Sequence, residues 1–335
     1  MRLTAKFYAL TLIAVCLATF SAVVAANVLI DPQRVFGLEL LPNKLNENLR
    51  YSQYLAYRKA EPSIGGLMFA SSRGNGIPLD DLSARTGGVR YANFTVTAGM
   101  ITDHLPVLER AIRDKAARGK RLERVFLLLD IDLLGQRPST SRNPQTHLHP
   151  DLTGEDPVRF WIRYLTAIQF HAWRDDLRSA SRAKRAELPP AVETTMPQRV
   201  ATLRAMPVLK EPMHITTRAD YQRQLAMIAQ FVELCRENGV AVTVATAPLH
   251  RTMLSYIDTN DLAIAVADVG RITPLWDFGS PQWLSDRHGL WVDHSHFTPE
   301  VGRMMIERIA TGALPLADQP FGVHRPVAEP SASGR

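Results

Sequence analysis

The most constraining feature of this chain is a 24-residue run without formal charge, Phe7 to Ile30, set between Lys6 and Asp31. As a helix rising about 1.5 Å per residue it reaches roughly 36 Å, enough to cross a hydrocarbon core of about 30 Å. Arg2 and Lys6 precede it, so residues 1–6 read as a cytoplasmic stub and 7–30 as a transmembrane signal-anchor. Everything after Asp31 is then expected outside the cytoplasm, on a single-pass protein of the inner (cytoplasmic) membrane with a periplasmic domain. A cleaved signal peptide is the competing reading, with Val23-Val24-Ala25-Ala26 as the cleavage site. The run favours the anchor: it continues through Val28-Leu29-Ile30 and exceeds a typical apolar leader segment of about 7–15 residues. Ile13-Ala14-Val15-Cys16 is only loosely lipoprotein-like, because little apolar sequence comes before Cys16.

The rest of the chain is that of a folded protein. With 46% hydrophobic and 21% charged residues it is neither disordered nor collagenous, and no second apolar run is long enough for a polytopic membrane protein. Cys16 and Cys235 are the only cysteines, so the exported part holds one thiol and must rely on its core. The net charge of +6 is compatible with anionic glycans or lipid headgroups and equally with a plain solvated basic surface.

Residues 31–62 read as a membrane-proximal collar, with Pro32, Gly37 and Pro42 as breakers and a short helix from Asn46 to Lys59. Residues 63–313 then alternate. Strands are expected at Gly65–Ala70, Tyr91–Val96, Val125–Ile131, Val240–Ala247 and Ile272–Phe278. Helices are expected through Leu105–Ala116, Tyr221–Asn238, Leu262–Val269 and Pro299–Ala313. Two irregular insertions, near 135–156 and 187–216, interrupt the order; the second carries Pro189, Pro190, Pro197, Pro207 and Pro212. One helix is expected between them, with Phe160, Trp161, Tyr164, Leu165, Ile168 and Trp173 on its apolar side and the basic cluster Arg178, Arg182, Lys184 and Arg185 at its end. The proline-rich tail, 314–335, reads as disordered. The expected class is α/β, three layers around a mostly parallel sheet, behind an N-terminal transmembrane helix.

Sites in such sheets form at the carboxyl ends of the strands. Two polar segments lie where that rule points: Ala70-Ser71-Ser72-Arg73 after the first strand, and Asp293-His294-Ser295-His296-Phe297-Thr298-Pro299 before the last helix. A serine at a strand-to-helix turn can present its hydroxyl beside backbone N–H groups. An Asp three residues before a His can orient an imidazole that takes the serine's proton. Plainer readings stand beside these: a serine pair as a helix cap, and Thr298-Pro299 as a helix start.

These residues resemble the SGNH/GDSL hydrolases, and most closely their membrane-anchored, exported branch concerned with acylation or deacylation of cell-envelope glycans. Ser71-Ser72-Arg73 matches the nucleophile block, Asn93-Phe94-Thr95-Val96-Thr97-Ala98-Gly99 the second block, and Asp293-x-x-His296 the last. The resemblance implies a flavodoxin-like SGNH fold with Ser72, Asp293 and His296 as the catalytic set, and Ser72 and Gly99 as oxyanion-hole donors. It departs from the family at Leu129-Asp130-Ile131-Asp132, where Gly-x-Asn-Asp is usual. An ionised Asp130 cannot donate to an oxyanion, so either Asp130 is protonated or the hole works with backbone groups alone, and Asp130 can instead orient Arg73 or support its loop. Arg73, Asn93, Asp130, Trp291 and His294 are candidates for substrate contact or support. Trp276, Trp283 and Trp291 could stack on a sugar or belong to the core, and His288 is a further candidate contact. His147-x-His149 and His294-x-His296 lack matching carboxylates, so neither a metal nor another cofactor is expected, and no nucleic-acid motif is present.

The expected function is a serine-dependent acyl esterase or O-acyltransferase on cell-envelope or extracellular polysaccharide, working through an acyl-enzyme. An acylated glycan would be the substrate and a membrane protein a possible acyl donor. The competing expectation is a catalytically silent glycan-binding or scaffolding domain of the same fold.

Overall fold

The computed structural model describes residues 2–38, 40–41, 46–137, 144–184, 201–203, 212–315 and 319–327. Its longer helices are α1 (Arg2–Ile30), α2 (Leu49–Ala60), α3 (Leu79–Arg85), α4 (Ile101–Ala116), α5 (Pro157–Thr166), α6 (Phe170–Lys184), α7 (Tyr221–Glu237), α8 (Thr259–Ile272) and α9 (Pro299–Thr311). The strands are β1 (Gly66–Ser71), β2 (Tyr91–Val96), β3 (Arg124–Leu129), β4 (Ala241–Thr246), β5 (Leu275–Asp277) and β6 (Val323–Arg325). The chain divides into two compact units, Met1–Ser52 with Ser139–Glu193, and Gln53–Pro138 with Thr194–Arg335. Most of the first insertion, together with α5 and α6, groups with the N-terminal segment, and the rest of 63–313 lies in the second unit.

The second unit is the α/β part. Its sheet has the order β2-β1-β3-β4-β5-β6, parallel from β2 to β5, with β6 antiparallel at the edge. Every residue of β1 is buried, as a strand covered on both faces requires. Met68 and Ala70 share a core with Leu82 of α3 and with Val301, Met305 and Ile306 of α9. Phe69, pointing the other way, meets His104 of α4 and Phe231 of α7. Because β1 pairs with β2 on one side and β3 on the other, the winding reverses between β1 and β3 and opens a crevice at their carboxyl ends. Serine and aspartate segments follow these two strands directly.

The first unit is helical. In α1, residues 5–22 are exposed all round and Asn27 is buried, and the helix is long and apolar enough to cross a membrane. Asp31 ends it at φ +44°, its Oδ1 accepting from the N–H groups of Val35 and Phe36. Asn48 Nδ2 donates to His147 O at 2.7 Å and to Tyr164 Oη at 2.9 Å, and the rings of Tyr51 and Phe160 stack.

Several expectations change here. The single helix expected across Phe160–Trp173 is two, α5 and α6, with extended backbone at Ala167. The carbonyls of Leu165 and Ala167 accept from Asn27 Nδ2, which replaces the helical bonds lost at the break. Nor is the tail structureless throughout: Val323–Arg325 forms β6, fastened by Arg325 to Asp277 at 2.7 Å. Pro42, Pro189, Pro190, Pro197, Pro207, Arg185 and residues 328–335 lie outside the described residues, as do the side chains of Arg182 and Lys184.

Candidate active site

Ser72 is the first residue of a short 3-10 turn, Ser72–Gly76, that follows β1. Ser71 caps this turn by accepting the Arg73 N–H on its Oγ at 3.1 Å. His296 comes from a tight loop whose two ends are plugged into the core: Trp291 and Phe297 are buried and bridge each other, and Val292 N–H donates to His296 O at 2.8 Å. Between these anchors, Asp293 and His296 stand half-buried at the rim. Phe297 packs where a side chain on Gly76 would be, and a Cβ on Gly302 of α9 would come within 1.9 Å of Gly76 O. The serine turn and the histidine loop therefore close on each other through two glycines.

The closure brings three side chains into line. His296 Nε2 lies 2.8 Å from Ser72 Oγ, and His296 Nδ1 lies 2.7 Å from Asp293 Oδ2. With the Nδ1 hydrogen directed to the carboxylate, Nε2 is left to accept from the Ser72 hydroxyl. Asp293 Oδ1 also accepts the N–H groups of Ser295 (2.7 Å) and His296 (2.9 Å). Burial raises the Asp293 pKa, but these bonds and the His296 ring outweigh it and hold the carboxyl down at about 2.

Arg73 fastens the two segments from below. Buried at 4% exposure, it makes a two-pronged pair with Asp132 (2.5 and 2.9 Å) and donates from Nε to Ser295 O at 2.9 Å. Breaking such a buried pair from one side costs about 3–5 kcal/mol, so Arg73 reads as support for the histidine loop. Burial lowers its pKa, yet Asp130 and Asp132 more than reverse this. Asp130 has a different partner: its Oδ2 accepts from Ser71 Oγ at 2.5 Å, with Arg73 Nη1 at 3.5 Å. Its Oδ1 is buried without a hydrogen-bond partner. Burial lifts the Asp130 pKa to about 6 against the opposing pull of Arg73. Asp130, Gly99, Met100 and Gln224 line a cavity of about 20 Å³, room for one water-sized group.

The remaining candidates separate cleanly. Gly99 is buried, and a Cβ there would approach Ala70 O to 2.8 Å, so it lies against the end of β1. Its N–H, however, closes a turn onto Val96 O at 3.0 Å and is spent there rather than offered to a substrate. Asn93 is exposed in the middle of the edge strand β2, three positions before the carboxyl end, and accepts from Thr95 N–H at 2.9 Å; it is not brought to the site. Trp291 is not a sugar platform: it is fully buried, and its Nε1 donates to Leu284 O at 2.9 Å. Trp276 and Trp283 pack partly buried against the same core. His294 is half-buried beside His296. Among the described residues no cluster with the make-up of a metal site occurs.

Asp132 and Ser71 are support residues that the sequence reading did not single out; the signal was the Asp-x-Asp spacing after a buried strand, which two buried partners then share. It passed over His250 as well. Thr252 N–H donates to His250 Nδ1, so His250 Nε2 carries the hydrogen and donates to His288 Nδ1 at 2.9 Å. Burial first, and the His288 ring second, lower the His250 pKa to about 4 and keep it neutral beneath the Trp291 indole. No protein-family model matches the chain, and comparison with curated proteins gives no significant match.

Proposed function

We propose that this chain is a serine acyl esterase or O-acyltransferase with an SGNH-like, flavodoxin-type domain, anchored by α1 and working outside the cytoplasm on cell-envelope or extracellular polysaccharide. The observation that carries the reading is the relay from Asp293 through His296 to Ser72 Oγ, at 2.7 and 2.8 Å. In the proposed reaction His296 Nε2 takes the Ser72 proton as Oγ adds to the carbonyl carbon of an acyl ester. The developing oxyanion faces the N–H of Ser72 at the start of its turn. Collapse expels the alcohol, which recovers the proton from His296 and leaves an acyl-serine. Water or a sugar hydroxyl then gives its proton to His296 and attacks the acyl group, and Ser72 departs reprotonated. Water makes the chain an esterase; a glycan hydroxyl makes it a transferase, with a membrane protein as the natural acyl donor.

A second reading, a silent glycan-binding or scaffolding domain, draws on Asp130 in the place of an amide donor and on the engaged Gly99 N–H. A fluorophosphonate probe separates the two. Labelling of the wild type that vanishes in Ser72→Ala, at unchanged circular dichroism, is the expected outcome; an unlabelled wild type overturns catalysis in favour of the silent domain.

A further inference from the structure

The first unit leaves apolar side chains uncovered around the end of α1. Counting from Phe7, a hydrocarbon core of about 30 Å uses roughly twenty helical residues and ends near Ala26. Asn27 comes next, and it is buried because the α5–α6 link wraps it: Nδ2 donates to Leu165 O (2.9 Å) and Ala167 O (2.8 Å), and Trp173 Nε1 donates to Oδ1 (3.0 Å). The link is thus pinned to the last turns of α1, where a core counted from Phe7 closes. Gln169 turns inward and bonds Asn27 and Gln33. Its neighbours Ile168 and Phe170 are left 79% and 64% exposed. Val158 and Ile162, one turn apart on α5, are 64% and 53% exposed, and Leu29 in the last turn of α1 is 54% exposed. Water is a poor solvent for such a set, and an aqueous setting gives no reason for them to stay uncovered beside the end of an apolar helix. Arg159 and Arg178, both exposed, add cations suited to lipid phosphates.

We propose that α5, the link after it and the start of α6 form a lipid-binding face, seated in the interface of the leaflet from which α1 emerges, with Ile168 and Phe170 dipping below the headgroups. The apolar surface of the span then continues sideways, and the first unit is held against the bilayer at a fixed height. The proposal rests on reading α1 as a membrane span.

Depth-resolved fluorescence on the full chain in phospholipid vesicles tests both. Cys16→Ala removes the thiol in α1; Cys235 stays, since burial pushes its pKa up to about 12 and keeps it unreactive. Bimane is attached singly through Ile162→Cys, Ile168→Cys, Phe170→Cys or Leu12→Cys, all at exposed positions. Labels at 168 and 170 should lose quenching by aqueous iodide and be quenched best by lipids with a nitroxide near the headgroup, while the label at 12 responds to nitroxides deep in the acyl chains. Iodide quenching at 168 and 170 with a deep response at 12 overturns the lipid face and leaves the span. No deep response at 12 overturns the span itself. Labels at 168 and 170 shielded from both quenchers would mean that protein covers the face, which also overturns the proposal.

Discussion

At the scale of single residues, the buried carboxyl of Asp130 gives stability a pH dependence. Its pKa in the folded chain is raised to about 6, above an unfolded value of about 3.9. A raised acid favours folding while it is protonated, so this contribution is fully present below about pH 4 and lost as pH climbs through about 6. Asp130→Asn removes that titration and keeps an acceptor for Ser71, so the stability difference between pH 5 and pH 8 should contract in urea melts. An unchanged difference would mean that Asp130 stays ionised across the range. Ser72, Asp293 and His296 were legible in the sequence because each lies beside a strand or helix boundary that apolar periodicity marks. The partnership of Arg73 with Asp132 was not, since the two stand 59 residues apart and only the parallel pairing of β1 with β3 unites them. Trp291 stood open between a sugar contact and the core, and the fold of its loop, which uses it as an anchor, decides for the core.

At the scale of elements, the site depends on how closely α9 approaches the serine turn. Gly302→Ala would place a methyl against Gly76 O, and the helix must move or the turn must open. Overpacking of this kind costs about 1–3 kcal/mol, and here it should also lengthen the contact between Ser72 and His296. The expected result is a lowered melting temperature together with slower fluorophosphonate labelling, whereas Gly270→Ala in α8, with no atom within 4 Å of its Cβ, should leave labelling untouched. A Gly302→Ala chain that labels at the wild-type rate would show that the turn does not need this contact. The central strands could be read from sequence because continuous apolar runs have few alternatives. β6 could not: Val323–Arg325 is three residues long and largely exposed, and what recruits it is Asp277, 48 residues earlier. The break between α5 and α6 was equally hidden, for it contains no proline or glycine and its carbonyls are satisfied by Asn27, 138 and 140 residues away.

At the scale of the whole molecule, two compact units share one chain. The first is assembled from segments far apart in sequence, through bonds such as Asn48 to His147 and Asn27 to Trp173, which periodicity does not register. Its α1 carries the membrane reading. An alkaline carbonate wash of membranes from expressing cells should leave the chain in the pellet, as for an uncleaved span, and release into the supernatant would overturn the anchor. The distance along the chain between Ser72 and His296 has a meaning in time. Ser72 is synthesised 224 residues ahead of His296. At about 5–20 residues per second, the serine waits roughly 10–45 s for its base. A chain inserted through α1 would therefore pass its first seconds inert, and would become reactive only once its last helix had been made and docked.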